Sequence, residues 1–83
     1  LDLRRRLALE LLNLADRFGS TDPRGIYLTL NVSHEVLAGI VGASRQQVTE
    51  YLNNFDREKI IFRDGRRIIV NIEKLGKILN DVA

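Results

Sequence analysis

Gln46, Glu50, Asn53 and Arg57 recur at i, i+4, i+7 and i+11, so a helix through them sets all four along one side. Arg, Gln and Asn head groups are forked and planar, able to form paired hydrogen bonds with a planar partner such as a base edge. Cations gather close by. Between Arg57 and Arg67 stand five of them (Arg57, Lys59, Arg63, Arg66, Arg67) against two acids, Glu58 and Asp64. A second cluster, Arg4-Arg5-Arg6, lies near the start. Ten of the thirteen cations are Arg, the residue suited to bidentate contacts with phosphate and guanine. Runs of this kind also occur as plain solvated faces, so their meaning depends on the elements that hold them.

Other chemistries find little support. The chain has no Cys, which excludes disulfides, Cys-based zinc sites and a thiol nucleophile. His34 is the single His, and without Cys partners it makes a poor metal site. It is expected in the first turn of a helix, solvated or beside a phosphate. Ser20, Thr21 and Thr49 have no base nearby in sequence, and no Gly-rich phosphate loop occurs. An enzyme is therefore not expected. The formal net charge is +2, and 45% of residues are hydrophobic, as in a folded globular chain. No apolar run approaches the roughly 18–20 residues of a membrane span, and no signal-peptide pattern appears. The expected location is the cytoplasm.

Leu3, Leu7, Leu11, Leu14 and Phe18 predict an amphipathic helix over 2–18, with Gly19 as its stop. Ser20–Gly25 reads as a turn or loop, and Ile26–Val32 as a short strand. Ser33 suits the N-cap of a helix through Val41, with Leu37, Ile40 and Val41 as its buried stripe and Ala38 small where the next helix crosses. Gly42 follows as a left-handed turn. Ser44 caps the next helix, and Gln47 completes an S-x-x-Q capping box. Val48, Leu52 and Phe55 form the core face of that helix, with Tyr51 on its flank.

A hairpin follows at once: Ile60–Arg63, a turn at Asp64-Gly65, then Arg66–Val70. Asn71 can cap a last helix over about 73–81, with Leu75, Ile78 and Leu79 facing inward. The order helix, strand, helix, turn, helix, hairpin, helix describes a winged helix-turn-helix of the α+β class. It has a three-helix core, a small antiparallel β wing and a short C-terminal helix, and forms one domain over 1–83. Such a unit presents its second helix to the DNA major groove, with the wing beside it. The rival reading is a winged helix that binds protein and no DNA.

The resemblance is to a family. From Leu1 to about Asn80 the chain resembles the C-terminal DNA-binding domain of the cyclic-AMP receptor protein/FNR family of bacterial transcription regulators. The residues that carry it are Leu11-Leu12-Asn13-Leu14-Ala15, Ser33 to Ala38, Val41 to Val48 and the hairpin at Asp64-Gly65-Arg66. The resemblance implies sequence-specific binding of double-stranded DNA, with the helix over about 44–57 in the major groove. It points to Arg45, Gln46 and Glu50 as base readers. It places Ser33, His34, Ser44, Gln47, Asn53 and Arg66 on the DNA backbone, with Arg66 rather than Arg67 as the wing cation.

At two positions the chain departs from the family pattern, which often has Glu at Gln46 and very often Arg at Glu50. The resemblance further implies an N-terminal sensor domain and a dimerisation helix, both absent from these residues. The parent would be a homodimer, with RNA polymerase as a further partner. No cofactor is expected in this domain, and the effector of the missing part is unknown.

Overall fold

A computed structural model describes residues 2–80. Helix α1 runs Leu3–Phe18, and the Asp2 side chain caps it by accepting the Arg5 N–H at 2.9 Å. Leu7, Ala8, Leu11, Leu14 and Ala15 form its buried stripe. The helix ends at Gly19 in extended backbone, without a left-handed cap.

Strand β1 is Gly19–Asp22 and β2 is Gly25–Leu28, paired antiparallel with Asp22 opposite Gly25. This corrects the sequence reading twice. Most of the segment expected as a loop is a strand, and the strand expected over 26–32 ends at Leu28. Gly-Ser-Thr-Asp has no apolar alternation, so only the partner strand makes it a strand.

Helix α2 is His34–Val41 and α3 is Arg45–Arg57. Between them Gly42 adopts φ 73°, ψ 43°, and Gly42 and Ala43 both donate their N–H to the Ala38 carbonyl. The left-handed residue reverses the chain and satisfies a terminal carbonyl in one step. Ser44 Oγ accepts the Gln47 N–H at 3.1 Å while Gln47 Oε1 accepts the Ser44 N–H at 3.0 Å, completing the predicted capping box. Ile40 is a correction: it is 53% exposed. The buried stripe of α2 is Leu37, Ala38 and Val41, so the helix is rotated toward Ala38, and Ile40 stands outward with Val36.

Strand β3 is Ile61–Asp64 and β4 is Arg67–Val70. Asp64 pairs with Arg67, so the central turn residues are Gly65 and Arg66, one place later than predicted. Gly65 has φ 62° and Arg66 is not in the positive-φ region. That pattern suits a type II′ turn, with Gly first, in place of the expected Asp-Gly type I′ turn. The wing is also larger than a lone hairpin. Its β4 pairs with β2 (Ile26 opposite Val70, Tyr27 opposite Ile69), giving one sheet in the order β1-β2-β4-β3.

Helix α4 is Ile72–Asn80, and Asn71 Oδ1 accepts the Lys74 N–H at 3.0 Å. Leu75 and Ile78 are buried and Leu79 half-buried; Asp81 lies outside the described residues. Phe55, Leu7, Leu11, Leu37, Leu52, Ile61 and Leu75 share one fully buried core fed by every helix and the wing. Each such side chain contributes about 1.5–3 kcal/mol by burial. This core fixes how α3 and the wing stand relative to each other.

Candidate nucleic-acid interface

The capping box starts α3 at a defined residue, and burial of Val48, Leu52 and Phe55 fixes its rotation. Arg45, Gln46, Gln47, Glu50 and Asn53 are consequently exposed on the outer side. Arg45, Gln46 and Glu50 form no side-chain hydrogen bond or ion pair among the described residues. Two sit in the first turn and one a turn later, so they stand close together. The Gln47 carbonyl oxygen is occupied by the capping box, which leaves its amide nitrogen to donate outward. Ser33 caps α2 in the same way, its Oγ accepting the Val36 N–H at 3.1 Å.

Beside α3 a cleft of about 350 Å³ opens between the start of α2 and the wing, lined by Ser33, His34, Arg63, Arg66 and Arg67 among others. The two wing-tip cations differ. Arg67 is half-buried and its Nη1 donates to the Thr29 carbonyl, whereas Arg66, at the turn, is exposed with no partner among the described residues.

His34 stands in the first turn of α2 as expected, but it is not simply solvated. It is half-buried, and its Nδ1 lies 2.8 Å from Thr49 Oγ1, tying α2 to α3; the donor follows from the ring tautomer. Burial pushes its pKa below the ordinary 6.5, and the positive charges of Arg63 and Arg45 push the same way. A neutral ring still has a polar nitrogen to offer a phosphate, but brings no charge.

Sequence reasoning also missed the role of Arg63, which in the sequence is only one member of a cation run. Its Nη2 donates to Asn53 Oδ1 at 2.9 Å, and its Nε stands 3.8 Å from Asp56 Oδ2, so the wing is tied to α3. No regular spacing links Arg63 to Asn53 or His34 to Thr49, because both pairs meet only through the fold.

A larger groove of about 720 Å³ lies between the start of α1, the end of α3 and the length of α4. Its cations are engaged internally: Arg4 with Glu58 at 3.2 Å, Arg5 with Asp2 at 3.4 Å and Lys77 with Glu73 at 3.7 Å. Arg4 also lies over the Phe55 ring. Lys74 Nζ likewise donates to the Glu58 carbonyl at 3.4 Å, so each cation of this groove has a partner within the protein. Among the described residues no group of three or more acids, Cys or His could hold a metal, and no helix is long and apolar enough to cross a membrane.

A capped helix with free forked head groups, a preceding helix set by a left-handed Gly and a cationic hairpin at its flank define a winged helix-turn-helix DNA-binding domain. Residues 5–78 match the family model of the Crp-like helix-turn-helix domain, and the chain belongs to that family.

Among curated proteins it is 33% identical over 70 residues to the CRP-like cAMP-activated global transcriptional regulator of Mycobacterium tuberculosis, covering 84% of this chain and 31% of that protein. It is 36% identical over 69 residues to the global nitrogen regulator of Synechococcus elongatus, covering 83% and 31%. Among solved structures, a CRP-family transcriptional regulator of Thermus thermophilus superposes with TM-score 0.82 at 32% identity, over 99% of this chain and 42% of that one. The CO-dependent transcription factor CooA of Carboxydothermus hydrogenoformans gives 0.84 at 34%, over 94% and 37%. The chain spans about a third of the length of the curated relatives it matches. It is a sequence-specific DNA-binding domain of a transcription regulator.

Proposed function

We propose that α3 enters the major groove and reads bases through Arg45, Gln46 and Glu50. Arg45 pairs with guanine O6 and N7, Gln46 with adenine N6 and N7, and Glu50 accepts from cytosine N4. Ser33, His34, Ser44, Gln47, Asn53 and Arg66 meet the phosphates and set the register. The observation that carries this reading is a contrast. Arg4, Arg24, Arg57, Arg63 and Arg67 are all engaged within the protein, whereas Arg45 and Arg66 stand exposed at the reading helix and the wing tip, with no partner among the described residues.

The domain works as part of a longer homodimeric regulator in the cytoplasm. Two copies read half-sites about one helical turn apart, each raising the effective concentration of the other. RNA polymerase is the further protein partner. This domain carries no cofactor and no catalytic role, and any effector binds elsewhere in the regulator.

Selection of duplexes from a random pool tests the reading. Arg45→Ala is expected to lose about 1–3 kcal/mol on the selected duplex and to relax the choice at one base pair. An equal loss on random duplex reduces Arg45 to a phosphate contact. Failure of even a dimer to bind any duplex at low salt would leave a protein-interaction module instead.

A further inference from the structure

We propose that Arg63 is a positioning residue of the DNA interface: it braces the wing against the reading helix and touches no DNA itself. The inference rests on the DNA-binding reading above. Beside the apolar packing of Ile61, Ile69 and Val70, three polar side-chain contacts tie the wing to the rest of the molecule among the described residues. Arg67 donates to the Thr29 carbonyl, Arg24 pairs with Asp64 at 3.4 Å, and Arg63 bonds Asn53 at 2.9 Å with Asp56 at 3.8 Å. Arg67 and Arg24 reach the β1–β2 side of the sheet. Of the three, only Arg63 reaches α3. Asn53 and Asp56 are i and i+3, so they form one seat on the helix for a single guanidinium.

The geometry matters because Arg66 sits at the turn tip, three residues beyond Arg63 in a two-residue hairpin. The angle between wing and helix therefore decides whether Arg66 reaches a phosphate while Arg45 and Gln46 reach bases. The same contact occupies the Asn53 carbonyl oxygen, so Asn53 is left with only its amide nitrogen to offer the backbone. Arg63 also keeps positive charge beside His34, favouring the neutral ring that bonds Thr49. One side chain thus ties the wing to the helix at a single seat.

A double-mutant cycle on the chain separates this from a direct phosphate contact. The probes are the duplex selected from a random pool and a random-sequence duplex, with Tm measured alongside. Arg63→Gln and Asn53→Ala are each expected to weaken binding to the selected duplex about fivefold, and the double variant to lose clearly less than the product of the two losses, the remainder being Asn53's own phosphate contact. Asn53→Ala leaves the net charge unchanged, so bulk electrostatics does not supply the coupling. Additive losses in the two variants overturn the brace and make Arg63 an independent DNA contact. Stronger binding by Asn53→Ala overturns it too, because the freed guanidinium would then be reaching phosphate. Coupling seen in Tm but absent from DNA affinity reduces the contact to fold stability and overturns it as well. A wild-type chain that binds neither duplex removes the DNA-binding reading and this proposal with it.

Discussion

At the scale of single residues, the proposed interface rests on free charge and not on charge alone. Ten Arg residues are spread over the chain, and many are spent on carbonyls and carboxylates. Arg66 is not. Arg66→Ala is expected to weaken binding on all sequences and to lower the slope of log affinity against log salt by about 0.9, the share of one phosphate. An unchanged slope takes the wing tip out of the interface.

His34 yields a pH effect whose sign follows from its environment. Its folded pKa lies below its unfolded value, so the unfolded chain binds the proton more readily. Stability is full above about pH 6.5 and falls as pH drops from there through the folded pKa. Wild type is expected to lose more Tm than His34→Gln between about pH 7.5 and pH 5.5, a window above most carboxylate titration. Equal losses would exclude His34 as the cause.

At the scale of elements, both helices of the helix-turn-helix end in the same left-handed device with different residues. Gly42 ends α2 at φ 73°, and Lys59 ends α3 at φ 62°. After α3, the Lys59 N–H reaches the Asp56 carbonyl at 3.1 Å and the Ile60 N–H reaches the Phe55 carbonyl at 2.9 Å, while Phe55 and Ile60 are both buried. These are the bonds and the apolar contact of a Schellman cap. A Cβ at Gly42 would meet nothing within 4 Å, so its cost there is purely one of backbone conformation. Gly42→Ala is expected to lose about 1 kcal/mol and Lys59→Gly to gain about as much. Each corresponds to about 4–8 °C in Tm, of opposite sign. A Lys59→Gly chain that melts lower would show that Lys59 does more than cap.

At the scale of the molecule, one core serves as both fold and instrument. Phe55 is fully buried, belongs to the reading helix and carries Arg4 over its ring. A chain of this size has only about 5–15 kcal/mol of stability in total, mostly at the lower end. Phe55→Ala is expected to remove about 3–5 kcal/mol, leaving the domain partly or wholly unfolded near 37 °C. Circular dichroism melting would show it. A small loss with DNA affinity unchanged would mean that the core can close over the gap without moving α3.

Local chemistry made much of this legible from sequence. Caps, the left-handed Gly, the Gly-containing hairpin and apolar periodicity act over a few residues, so they identified α1 to α4, the wing and the outer face of α3. The same short range explains the errors. Asp64-Gly65 and Gly65-Arg66 are both acceptable turns, and the register with β4 chose the second. Ile40 and Ala38 are both acceptable stripe positions on α2, and packing against the rest of the core buried Ala38.

The sequence by itself determined the four helices, the wing hairpin and which residues stand outermost on α3, because those follow from spacing along one chain, whereas β1 exists only through its pairing with β2. Only the tertiary structure decided which cations are free. The bonds from Arg63 to Asn53, His34 to Thr49 and Arg67 to Thr29 join residues 10, 15 and 38 positions apart, and such distances close only when the core packs.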